Sequence, residues 1–430
     1  NLIVSMWSDA SSWISGKVPV EGEEAIVNNT RWIIIDIVPP KLRCLKVYGK
    51  LTLVPNLNVT LSVSCIAVYG VFDISDDGKP FQGDVNIQIY GTKSNSVPLI
   101  VGEGKFVGSK AIAVMGTFTA IGKPKSVSWS RLNATASAGQ FTVTVRDVVN
   151  WKVGDEVVVS PTGYYGSSGE MWSETHGGME VHIIKEVLRY DSGAVLTLIS
   201  PLNQTHLCTS VEDESFCGTV GVLSRNVRIS STDSEDTSSS TFGFGGHISV
   251  IDLVEGVDGV SASYSGSLTL NSVELRHLGQ LNSDRYAISF SYSKSHKPSS
   301  IINCAFTQGY SIAIRAAKTQ GLIVHNNVAM NITEGGVYIE KTCSNFSLTS
   351  NLFVGLNQLS SVMSSSYPWV RPVAGFTILS SHGEVYSNIV AGSYDNGFMV
   401  ATAMFFQRSG SSACTLTRGN AYSYHLNTIL

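Results

Sequence analysis

An asparagine followed by a short apolar run returns through the C-terminal half of the chain. The phrase reads Asn271-Ser272-Val273, Asn303-Cys304-Ala305-Phe306, Asn327-Val328-Ala329-Met330, Asn351-Leu352-Phe353-Val354 and Asn388-Ile389-Val390-Ala391, in steps of 32, 24, 24 and 37 residues. A period in the low twenties with longer excursions suits one coil of a parallel β-solenoid. An asparagine at a repeated bend can bond to its counterparts in the coils above and below, pairing backbone groups that burial would otherwise orphan. Insertions then leave the coils at their bends, where a site can be built.

Only 14% of the 430 residues are charged against 43% hydrophobic, and there are 40 glycines, which suits stacked strands and tight turns better than a helical bundle. A solenoid lengthens without widening, so this length fits one elongated body. The formal net charge of -4, with no basic stripe interleaved with aromatics, argues against a nucleic-acid partner.

Six N-glycosylation sequons, at Asn28, Asn58, Asn133, Asn203, Asn331 and Asn345, join seven cysteines without zinc-like pairing to indicate an oxidising, glycosylating route. Cys208 and Cys217 flank a short acidic loop and make the first expected disulfide; Cys44 with Cys65 is the second. The other three cysteines cannot all pair internally. The apolar runs are far shorter than the roughly 18 to 20 residues needed to span a bilayer. We expect a segment of a larger ectodomain, with no direct membrane insertion of its own.

Residues 1–150 read as alternating short strands between Gly, Pro and Asn turns. Val47-Tyr48-Gly49 and Val68-Tyr69-Gly70 lie 21 residues apart, another solenoid-like period. The N-terminal unit should therefore stack coaxially on the rest. Within it, Trp7-Ser8-Asp9, Trp13 and Gly16-Lys17-Val18-Pro19, with Gly22, resemble the start of a G8 domain. Further on come Trp129-Ser130-Arg131-Leu132, Trp151-Lys152-Val153-Gly154-Asp155, Gly221-Val222-Leu223-Ser224-Arg225 and Gly245-Gly246-His247. In that order they resemble the family of G8 and parallel β-helix ectodomains that includes the fibrocystins and, more distantly, hyaluronan-acting cell-surface proteins. Each also has a purely structural use, as core caps for the tryptophans and bends for Asp155 and Arg225. The expected fold is thus all-β: a right-handed parallel β-helix over 248–430, a connecting β segment with insertions over 151–247, and a G8 unit over 1–150 stacked on the helix.

The most chemically loaded stretch runs from Glu274, Arg276 and His277 to Asp284-Arg285-Tyr286-Ala287-Ile288-Ser289-Phe290-Ser291. It resembles the place where the hyaluronan-acting members carry V-E-x-x-x-x-G-Q and then R-Y-P-I-H-F-H, whose two histidines share one side of a strand. Such a face can neutralise a uronate carboxylate with its cation and shuttle a proton with an acid-base residue. Here Ala287 replaces the proline, and Ser289 and Ser291, which do not titrate near neutrality, replace the imidazoles. Glu274, His277, Asp284 and Arg285 remain as catalytic candidates, although ordinary ion pairs on a solvated face would look the same. For ligand binding, Arg285 is joined by Tyr367, Trp369 and Arg371 in a proline-stiffened excursion that can stack on sugars or fold back on the solenoid.

His247 and His382 follow or precede glycine as in pectin-cleaving β-helices, but lack the clustered aspartates those sites use and are read as bend residues. His176 and His182, near Glu174 and Glu180, form a loose cluster without metal-ligand spacing. No metal or cofactor is assigned, calcium being the one ion allowed for. These features favour a non-catalytic structural or adhesive ectodomain segment at the cell surface, ciliary or apical by resemblance. Its expected partner is an extracellular protein or glycan, with self-association allowed. The alternative is a hyaluronan-binding or hyaluronan-cleaving enzyme.

Overall fold

The computed structural model describes residues 2–163, 178–211, 214–232, 242–257, 260–291, 298–358 and 373–400, with the short strands Tyr424–His425 and Thr428–Ile429. Three long sheets of 11, 10 and 9 strands, here called A, B and C, wrap one core. Each coil passes through B, then A, then C, and neighbouring coils pair in parallel, as in Ala111–Val114 with His247–Ile251 and Val328–Thr333 with Leu352–Asn357. This is a parallel β-helix. Among the described residues the only helical element is the short 3-10 turn Ala10–Ser12.

Period-2 patterning sets the core. In Val85–Ile89 the valine and isoleucines are buried while Asn86 and Gln88 point outward, and equivalent inward residues stack from coil to coil, as Phe72 does on Phe118 at 5.1 Å. The bends from B to A are tight enough to demand glycine. A Cβ on Gly70 would meet the Gly49 carbonyl oxygen at 2.0 Å, and one on Gly116 would meet that of Gly70 at 2.1 Å. The same solenoid therefore runs from the first strand, Ile3–Met6, onward, and the N-terminal coils do stack coaxially on the rest.

At the bends from A to C, Ser272, Asn303, Asn326, Ser350 and Ser387 all hold a left-handed conformation, with φ between 52° and 57°. The residue after each one is Val273, Cys304, Asn327, Asn351 or Asn388. The repeated phrase is thus in register only for its last three members. Asn271 stands one place before the left-handed residue and Asn303 occupies it, because the bend, not the asparagine, recurs. Asn327, Asn351 and Asn388 form a buried ladder: Asn327 Nδ2 donates to Asn351 Oδ1, and Asn351 Nδ2 to Asn388 Oδ1, both at 2.9 Å. Cys304 takes the next rung, its backbone N–H donating to Asn327 Oδ1 at 2.8 Å.

The boundaries expected at 150 and 247 do not mark breaks in the solenoid. One A-to-C bend, between Thr117–Ile121 and Val227–Ser231, is replaced by an inserted antiparallel unit. Its sheet spans Trp129–Arg131 to Thr219–Val222, and it has its own core around Trp151, Leu196 and Val220. Asn226 clamps the stem, accepting from the Lys123 N–H at 2.7 Å and donating to the carbonyls of Phe81 and Gly83. Buried Arg225 ties the unit to the A-to-C bend two coils on through the Asn303 carbonyl at 2.9 Å, and desolvation lowers its pKa to about 10.

The outer face of sheet C shows why the unit rests where it does. One outward column reads Thr60, Asn86, Arg228, Glu274, Ala305, Val328, Leu352, Ile389; its neighbour reads Ser62, Gln88, Ser230, Arg276, Thr307, Met330, Val354, Ala391. Both turn from polar to apolar along the solenoid. The apolar part packs against Val158, Met179 and Leu223 of the inserted unit, and Trp129 Nε1 donates to the Ser350 carbonyl at 2.7 Å.

Candidate functional site

Two hairpins, Pro98–Val101 with Lys105–Ser109 and Leu253–Val257 with Val260–Tyr264, cover the N-terminal part of sheet B through Leu99, Val101, Val107 and Leu253. Beyond them one outward column reads Ser249, Ser289, Arg315, Tyr338, Thr377. Ser289 and Ser291 point outward and are half-buried, as the alternation along Ile288–Ser291 requires. Arg315 is committed locally: Nη2 donates to Glu340 Oε1 and the guanidinium lies 5.4 Å from the Tyr286 ring. Tyr286 donates its hydroxyl to Asp284 Oδ1 at 3.2 Å.

The four catalytic candidates do not converge on this face. Glu274 lies on sheet C, 2% exposed, and accepts from Arg228 Nη2 at 3.0 Å. His277 sits at the following corner with φ of 56°, its ring stacked on Tyr310 and Nε2 engaged with Gln308 Oε1. Asp284 is exposed. Arg285, half-buried at the entrance to sheet B, packs over Phe106 at 5.5 Å. The chain folds across a corner between Glu274 and Arg285, which turns the two ends of the motif onto different faces.

His247, read from sequence as a bend residue, instead opens the strand His247–Ile251 and faces outward on sheet B, in the same alternation as Ser249. It is 1% exposed, and its Nε2 has no hydrogen-bond partner. A Cβ on Gly108 would fall 2.6 Å from Arg285 Nε and 3.3 Å from His247 Nε2, so glycine there admits both groups side by side. Burial, and then the Arg285 charge, push the imidazole down to about 3. The signal was the alternation His247-Ile248-Ser249-Val250, which puts the imidazole on the Ser289 side. His382 does lie at a bend, its Nδ1 beside Ser381 Oγ at 3.2 Å.

Tyr367, Trp369, Arg371, Glu174 and His176 lie outside the described residues. His182 and Glu180 do meet, joined by His206: both imidazole Nε2 atoms lie 3.1 Å from the Glu180 carboxylate. Burial disfavours that charge, but the N–H groups of Asn203 and Gln204 and the two imidazoles outweigh it and lower the Glu180 pKa. The node is a structural lock. No group of three or more His, Cys, Asp or Glu able to hold a metal occurs among the described residues.

Both expected disulfides are present. Cys44–Cys65 joins adjacent coils and Cys208–Cys217 closes a hairpin, while Cys304 and Cys343 are free and buried. Of the sequons, Asn58, Asn133, Asn203 and Asn345 are exposed, whereas Asn28 and Asn331 are half-buried.

Residues 12–133 match the G8 domain family, and residues 243–428 match the family described as CEMIP beta-helix. The chain is thus similar to a G8 domain in its N-terminal part and to a CEMIP beta-helix in its C-terminal part. It is 28% identical over 92% of its length to mouse fibrocystin-L and 26% identical over 92% to mouse fibrocystin, covering 10% and 9% of those proteins. The chain thus spans about a tenth of the length of these curated relatives. A Pseudomonas phage tailspike aligns over 82% of this chain and 50% of its own at 12% identity, with a TM-score of 0.19. The fibrocystin relationship and the β-helix family support an extracellular domain. Among the described residues, no helix is long and apolar enough to cross a membrane.

Proposed function

We propose that this G8 and β-helix unit is a non-catalytic, ligand-presenting or adhesive segment of a cell-surface ectodomain. The parent is read as a single-pass protein displayed on cilia or apical projections, and the partner as an extracellular protein or glycan. The observation that carries the reading is the serine pair Ser289 and Ser291, half-buried on the outward side of sheet B, at the positions where, by the sequence resemblance, hyaluronan-acting members carry an imidazole pair. Neither hydroxyl is a general acid or base at neutral pH. Glu274 is paired with Arg228 on another sheet. Continuous parallel pairing along three sheets also suits a spacer that holds its surface at a fixed distance.

One observation favours a second reading, glycosaminoglycan binding or cleavage: His247 and Arg285 stand together at the edge of the same face. Size-defined hyaluronan incubated with the glycosylated chain, with and without calcium, separates the two. The chain length of the polymer is expected to stay unchanged. Shortening that disappears in His277→Ala or His247→Ala would overturn the non-catalytic reading, and a binding isotherm on the same polymer tests recognition without turnover.

A further inference from the structure

We propose that Cys208–Cys217 is a thiol-exchange site, opened by an extracellular low-molecular-weight or protein thiol, whereas Cys44–Cys65 is a permanent staple. The two bridges differ in the burial of one half. Cys44 and Cys65 are 3% and 2% exposed and lie in the apolar cluster with Leu99, Val101 and Met115. Cys208 and Cys217 face each other across the small hairpin Cys208–Val211 with Glu214–Cys217, with Cys208 half-exposed and Cys217 buried.

A fixed cation lies against this second bridge. Arg146 Nη2 is 3.0 Å from Cys217 Sγ and 3.8 Å from Cys208 Sγ. Its guanidinium is held in place by Nε donating to the Leu132 carbonyl at 3.1 Å and Nη1 donating to Ser215 Oγ at 3.2 Å. A disulfide sulfur is a poor acceptor and gains little from such a donor. A thiolate gains much, because a neighbouring guanidinium stabilises its charge and makes it a better leaving group.

Exposure and charge together fix the direction of exchange. An incoming thiolate attacks the sulfur of Cys208, the less buried half of the bridge, the sulfur–sulfur bond breaks, and its electron pair leaves on Cys217 as a thiolate facing Arg146. A second thiolate attacks the external sulfur of the mixed disulfide, releasing Cys208 and carrying away the oxidised small-molecule disulfide. The bridge is thereby reduced by two electrons, supplied by the two external thiols.

The full glycosylated chain is exposed to a graded glutathione buffer, quenched by alkylation, and each cysteine is read by peptide mass spectrometry. Cys208 and Cys217 are expected to be labelled while Cys44 and Cys65 remain bonded, with transient glutathione on Cys208 and not on Cys217. Arg146→Gln is expected to slow opening about tenfold, and Arg146→Lys to restore most of the rate. Reduction of Cys44–Cys65 first or simultaneously, or glutathione on Cys217, overturns the proposal. That order is read in the unsubstituted chain, so it decides the matter even if R146Q folds poorly.

Discussion

Buried Asn351 bonds in three directions: Nδ2 donates to the Val324 carbonyl at 3.0 Å and to Asn388 Oδ1, while Oδ1 accepts the N–H groups of the Asn327 side chain and backbone. Asn351→Ala strands several of these groups away from water. At about 1 to 3 kcal/mol for each buried orphan, the variant should lose at least about 3 kcal/mol, seen as a lowered urea midpoint. Asn271→Ala, outside the ladder, should shift it far less. His247 makes a prediction of the opposite kind, since its imidazole is kept neutral in the fold with a pKa depressed from 6.5 to about 3. Below pH 6.5 the unfolded chain binds a proton that the folded chain refuses, so this site removes stability as pH falls, with a limiting slope of about 1.4 kcal/mol per pH unit. Urea titrations at pH 7 and pH 5 should show His247→Gln losing about 2 kcal/mol less than the unsubstituted chain on acidification. Equal losses would mean that the imidazole is solvated.

The strand-scale counterpart is the change from polar to apolar along the outer face of sheet C. Val328, Met330, Leu352 and Val354 point away from the solenoid core yet are buried by the inserted unit. Leu352→Lys places a charge in that dry contact and should detach the unit without melting the coils. Hydrogen exchange should then quicken in the strands Trp129–Arg131 and Glu156–Val159, while Ile323–His325 and Phe346–Thr349 stay protected. Uniform loss of protection would show that the unit and the coils unfold together. This burial was legible in part. The run Val328-Ala329-Met330, unlike Val85-Asn86-Ile87-Gln88, does not alternate, and an apolar outer face requires a cover. Which segment supplies it was not legible, because the cover comes from residues more than a hundred positions away and periodicity reports only local geometry. The same limit explains the candidate site. The motif from Glu274 to Arg285 is contiguous in sequence, but the corner at His277 sends Glu274 to sheet C and Arg285 to sheet B. His247 joins Arg285 only through the lateral stacking of coils.

For the whole molecule, a single solenoid with its largest elaboration confined to one bend implies that the rod does not need that elaboration to form. The coils on either side are already paired without it: Thr117–Ile121 registers with Ser267–Asn271 on sheet A, and Val85–Ile89 with Val227–Ser231 on sheet C. Replacing residues 123–225 by a short bend with one left-handed glycine should therefore preserve a strand-dominated circular dichroism spectrum. It should also expose the columns at Val328 and Leu352, and an uncovered apolar patch of that kind drives association. The excised chain should elute as oligomers in size-exclusion chromatography. Adding Val328→Thr, Met330→Thr and Leu352→Thr, which extend the polar lettering already present at Thr60 and Ser62, should return it towards monomer. If excision abolishes the strand spectrum, the inserted unit is part of the folding core and the rod is not autonomous. If the excised chain stays monomeric without the threonines, the apolar columns are not what the unit protects.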